Sequence, residues 1–115
     1  MEPTEADLQA FFDSMVEKQR FAENHIRHVR VVWANLKAKL PELSLPCCAP
    51  AEDDAMELYW ANRHIHVDID VYPDGECDWF ARDRIADYFE SGACGPEVPQ
   101  KLLAWFRKLL AWENQ

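Results

Sequence analysis

The stretch His64-Ile65-His66-Val67-Asp68-Ile69-Asp70-Val71-Tyr72, closed by Pro73-Asp74-Gly75, decides how the rest of the chain is read. Isoleucine and valine hold the odd positions from Ile65 to Val71, and His64, His66, Asp68, Asp70 and Tyr72 hold the even ones. Successive strand side chains point to opposite faces, so the alternation predicts one apolar and one polar face. Pro-Asp-Gly supplies a fixed φ, a local side-chain acceptor and a residue free to take φ > 0, which together make a hairpin turn. The stretch is therefore expected to be the central strand of an antiparallel sheet.

Working outward, the spacing predicts a four-stranded meander over residues 56–90: Met56–Ala61, His64–Tyr72, Glu76–Arg82 and about Ile85–Glu90. The connections at Asn62-Arg63 and Pro73–Gly75 are too short for anything but antiparallel hairpins. Met56, Leu58 and Trp60 would join Ile65, Val67, Ile69, Val71, Cys77, Trp79 and Ala81 on the core face. Glu57, Tyr59, Glu76, Asp78, Phe80 and Arg82 would join the His/Asp row on the other.

Upstream, residues 4–40 lack proline and glycine, and Leu8, Phe12, Met15, Ala22, Ile26, Val29, Trp33, Leu36 and Leu40 step as a helix does. Thr4 with Asp7 forms a capping-box pattern after Pro3, and Pro41 stops the helix. One continuous helix over residues 1–40 would run about 50 Å, longer than a small sheet can cover. It must break, with Glu23-Asn24 as the expected place, or project and pack on a second copy as a homodimer. Residues 41–55 carry three prolines and read as a connector with an exposed Glu52-Asp53-Asp54 cluster, and Ser91–Pro96 as a loop. Residues 97–113 read as an amphipathic helix whose stripe is Val98, Leu102, Trp105, Phe106 and Leu109, widened by Leu103, Leu110 and Trp112. The expectation is one α+β domain over 1–115, with both helices on the aliphatic face of the sheet.

The 115 residues are 49% apolar, which suits a single packed domain. No window approaches a membrane span, and Met1–Glu5 lacks the basic flank and apolar run of a signal peptide, so a cytoplasmic protein is expected. Four cysteines without a C-x-x-C pair predict free thiols, with Cys47 and Cys48 buried in the connector. The net charge of −9 is uneven: residues 41–100 hold fourteen acids against three arginines, a net of −11. Such a surface repels nucleic acid and anionic lipid and attracts basic protein surfaces or cations.

Two patterns carry chemistry. The first is the polar face itself: Tyr59, Tyr72 and Phe80 interleaved with Asp68, Asp70, Glu76 and Asp78, a composition suited to docking a basic protein partner. The second is His64, His66 and Asp68, imidazoles and a carboxylate at i, i+2 spacing, which would serve a small metal-dependent enzyme. His25 and His28, with Arg27 and Arg30, read as a basic stretch that pairs with the acidic sheet. No phosphate loop, nucleophile elbow or Ser/His/Asp arrangement is present, so no catalytic residue and no cofactor is assigned.

Leu58-Tyr59-Trp60-Ala61-Asn62, then His66 to Gly75, then Asp78-Trp79-Phe80-Ala81-Arg82-Asp83-Arg84 resembles a pattern of uncharacterised small bacterial and phage-borne proteins. The likeness covers about residues 56–84 and implies a fold without an activity. By analogy of type, a small acidic protein without catalytic motifs suits an inhibitor: a toxin-immunity partner or a phage antagonist of the anti-CRISPR kind.

Overall fold

A computed structural model describes residues 4–18, 21–95 and 97–113. Parts of the expected segments fall outside these: residues 1–3, Gln19 and Arg20 of the 1–40 helix, Pro96 of the loop, and residues 114–115 of the domain. The element order is α1 Glu5–Glu17, α2 Glu23–Lys39, β1 Cys47–Pro50, a 3-10 turn Glu52–Asp54, β2 Met56–Ala61, β3 Ile65–Val71, β4 Cys77–Asp83, β5 Tyr88–Cys94 and α3 Gln100–Glu113. The five strands form one antiparallel sheet in the order β1-β2-β3-β4-β5, which puts β3 in the middle. The class is α+β, with one strand more than the sequence indicates.

Alternation fixes the register of β3. Ile65, Val67, Ile69 and Val71 are all at most 1% exposed, and a slip of one residue would turn them to water and bury His66, Asp68 and Asp70. Each aliphatic is worth roughly 2 kcal/mol when buried, so the observed register wins by a wide margin. The predicted core face is buried throughout, from Met56, Leu58 and Trp60 to Cys77, Trp79 and Ala81. α2 and α3 cover this face. Trp60 is the meeting point: it lies near-parallel to Trp33 of α2 at 6.3 Å and edge-on to Phe106 of α3 at 4.9 Å.

The expected 1–40 helix is two helices. α1 begins on the Thr4–Asp7 capping box, with Thr4 N donating to Asp7 Oδ2 at 2.8 Å and Asp7 N donating to Thr4 Oγ1 at 3.2 Å. It ends at Glu17, and the chain folds back so that Arg30 of α2 bonds Gln9 and lies over the Phe12 ring. The break falls a few residues before Glu23-Asn24. There Phe21, not Ala22, is buried, packed edge-on to His25 at 5.0 Å. A hairpin of two short helices buries both apolar stripes within a molecule whose longest extent is 40 Å; one continuous helix would overhang it. The overhang that prompted the homodimer expectation is thus folded back.

His25 is also not part of a basic stretch facing the acids. It is 3% exposed, and its Nε2 donates to the Val71 carbonyl at 2.7 Å, tying α2 to the end of β3. Two other boundaries move. The connector contributes β1, an edge strand in which Cys47 is exposed and Cys48 half-buried, so these cysteines are not both buried; all four cysteines are free thiols. Burial pushes the Cys48 thiol up to about 12. The last strand is Tyr88–Cys94 in place of Ile85–Glu90, because Asp83 Oδ1 accepts from Ile85 N and Ala86 N and holds residues 84–87 as a turn, leaving Ile85 exposed. Residues 91–94, expected in a loop, are strand.

Candidate functional site

The face of the sheet away from α2 and α3 is built from three cross-strand rows. The first runs Glu57, Asp70, Asp78, Ala93 across β2 to β5; the second Tyr59, Asp68, Phe80, Ser91; the third Ala61, His66, Arg82, Phe89. Three carboxylates thus stand directly opposite one another on three adjacent strands, with a fourth, Asp68, two residues from Asp70. Like charges in such positions oppose pairing. Among the described residues none of Glu57, Asp70 and Asp78 forms an ion pair with lysine or arginine.

The electrostatic consequence is concentrated at Asp70. Burial, then the Asp68, Glu57 and Asp78 carboxylates, push its carboxyl up to about 6. Its Oδ1 is buried and has no hydrogen-bond partner among the described residues. Glu57 is raised too, by burial and by Asp68, with His66 acting the other way. Asp78 accepts from the Tyr72 hydroxyl at 2.9 Å, and this bond pushes the Tyr72 phenol up to about 12.

Beside the acids runs a ladder of rings. Tyr59 and His66 lie near-parallel with centroids 6.4 Å apart, His66 and Phe80 are also 6.4 Å apart, and Phe80 stacks on Phe89 at 5.8 Å. Phe89 is 65% exposed, an unusual position for so large an apolar ring. Between the ladder and the acidic row lies an open groove of about 420 Å³, lined by Asp68, Asp70, Asp78, Phe80 and Ser91. Trp79 and Gly92 border it too, and a Cβ on Gly92 would stand 2.9 Å from Trp79 Nε1.

Of the residues singled out from sequence, Tyr59, Asp68, Asp70, Asp78 and Phe80 come together here, and Tyr72 joins through Asp78. Glu76 stands at the end of the face beyond the three rows: its carbonyl accepts from Tyr72 N at 2.8 Å, and its own N–H donates to Asp74 Oδ1 at 3.0 Å. His64 is also elsewhere. It precedes β3, and its ring stacks on Trp112 of α3 at 3.8 Å, so the His64/His66/Asp68 set is not assembled. The group that is assembled is Glu57, His66 and Asp68, whose ligand atoms all lie within 4.8 Å of one another. His66 Nε2 and Asp68 Oδ2 are 2.8 Å apart.

Phe89, Ser91 and Gly92 are additions that sequence reading passed over, since it placed the last strand too early. The signals were present: Asp83 as a turn acceptor, and a small residue at 92 to face a tryptophan. The acids of the other face are spoken for. Glu90 Oε1 accepts from Trp105 Nε1 at 3.0 Å and its other oxygen is 3.8 Å from Lys101, while Asp83 meets Lys108 at 3.7 Å. No helix among the described residues is long and apolar enough to cross a membrane. Comparison of the chain with protein-family models, curated proteins and solved structures finds no match in any of the three.

Proposed function

We propose that the open face is a docking surface for a basic protein segment, and that the protein acts by occupying it: a non-catalytic inhibitor of the immunity or phage-antagonist (anti-CRISPR) type. The observation that carries this reading is the row Glu57–Asp70–Asp78, three opposed carboxylates without a lysine or arginine partner among the described residues. In the free chain the row is a cost. Against a guanidinium it becomes an acceptor array, since arginine donates bidentately to carboxylates and stacks on aromatic faces. The ladder Tyr59–His66–Phe80–Phe89 supplies those faces, with Phe89 exposed enough to be reached. A partner that uses arginines to hold nucleic acid would present this chemistry.

Calorimetric titration with an arginine-rich peptide and a glutamate-rich control of equal length tests it. Binding of the first alone is expected, falling steeply between low and physiological salt, and weakening at least about tenfold in Asp70→Asn/Asp78→Asn, the loss of two charge-assisted contacts. Equal affinity in the double variant would remove this face as the site.

A further inference from the structure

We propose that Glu57, His66 and Asp68 form a site for one divalent transition-metal ion of the zinc class, placed where β2 and β3 meet on the open face. His66 and Asp68 project from one strand at i, i+2, and Glu57 comes from the neighbouring strand, opposite Asp70. Their ligand atoms lie within 4.8 Å of one another. With bonds of about 2.0–2.2 Å, neighbouring ligands of one tetrahedral ion stand about 3.3–3.6 Å apart, so the group closes on an ion with side-chain movements of about 1 Å. The 2.8 Å between His66 Nε2 and Asp68 Oδ2 is a hydrogen-bond length, and it is also near the edge of a coordination shell. On metal binding the imidazole presents a bare Nε2 and keeps its hydrogen on Nδ1.

The donor set is one imidazole nitrogen and two carboxylates. That mixture selects zinc, cobalt, nickel or manganese over magnesium, which favours oxygen alone and keeps its waters. A second observation points the same way. Asp70, opposite Glu57 and next but one to Asp68, holds a buried Oδ1 with no hydrogen-bond partner among the described residues. Three carboxylates around one imidazole form a local excess of negative charge that a dication would neutralise. Tyr59, near-parallel to His66, limits how far the ring can turn away. The site needs no docking partner, so it stands or falls apart from the peptide-binding reading.

The probe is cobalt(II), added to the free chain without peptide. One ion per chain is expected, with paramagnetic broadening in ¹H–¹⁵N spectra of the wild type centred on the amides of Glu57, His66 and Asp68. His66→Ala and Glu57→Gln should each weaken binding at least about tenfold, while His64→Ala and Cys47→Ser leave it within twofold and excess magnesium does not displace the ion. Broadening centred elsewhere, loss of binding in Cys47→Ser or His64→Ala, displacement by magnesium, or no stoichiometric binding would each overturn the site. The wild-type spectrum decides even where a variant fails to fold.

Discussion

Asp70 and Asp78 face each other directly across the β3–β4 ladder, two carboxylates in opposed positions where a stable sheet would place a neutral or oppositely charged pair. Glu57 faces Asp70 from the other side. The aliphatic residues between them on β3 hold the register regardless, so the repulsion is carried by the fold and felt at Asp70.

That repulsion makes stability depend on pH in a definite direction. The Asp70 carboxyl is pushed up to about 6 in the folded chain, against about 3.9 unfolded. Between these values the folded state holds a proton that the unfolded state has released. Stability therefore falls as pH rises through this window, and the full cost is present above it. Asp70→Asn should stabilise at pH 7 by about 1 kcal/mol, after discounting for the solvent that screens a half-buried carboxylate, with the gain vanishing near pH 4. Urea denaturation at the two pH values measures it; an equal gain at both would mean the effect is not ionisation.

Gly92 and Trp79 are cross-strand partners, and a Cβ at 92 would lie 2.9 Å from Trp79 Nε1. Trp79 is 4% exposed and has nowhere to move. Gly92→Ala should cost about 1–3 kcal/mol, the usual penalty of overpacking. In Trp79→Phe, which lacks the indole nitrogen, the same change should cost markedly less. A double-mutant cycle on thermal unfolding gives the coupling, and its absence would mean the backbones separate instead.

His25→Leu keeps bulk but removes the bond to the Val71 carbonyl, and should cost about 1–3 kcal/mol. Arg27→Ala, two residues on and facing solvent, should stay within about 0.5 kcal/mol. Similar losses from both in denaturant titration would show that helix α2, not the tie to β3, sets the effect.

Charge alone should not explain peptide binding. Glu90→Gln removes the same unit of charge as Asp78→Asn, but Glu90 is already engaged by Trp105 and Lys101 on the other side of the sheet. Calorimetry with the arginine-rich peptide should show Glu90→Gln within about twofold of wild type and Asp78→Asn weakened severalfold. Matching losses would point to the overall field of the chain.

The sequence by itself determined the three central strands β2–β4 and their two faces. Period-two alternation from Ile65 to Val71 assigns each side chain to a face, and turns as short as Asn62–His64 and Pro73–Gly75 leave no choice but antiparallel neighbours. The acids and rings of the open face follow from that parity, which is why Asp68, Asp70, Asp78, Phe80 and Tyr59 could be named in advance. Tertiary structure alone decided what parity does not encode. The helix break depends on how long a stripe the sheet can cover, and the position of β5 on a turn held by Asp83. Pairing of β2 with β3 brought Glu57 beside His66 and Asp68, residues nine and eleven places away in sequence. Packing of α3 drew the His64 ring onto Trp112, although the same even-numbered row had placed it with His66. Side-chain parity and hairpin neighbours are local and legible; which side chains converge across a ladder, and which helix end reaches a turn, are settled only when the core closes.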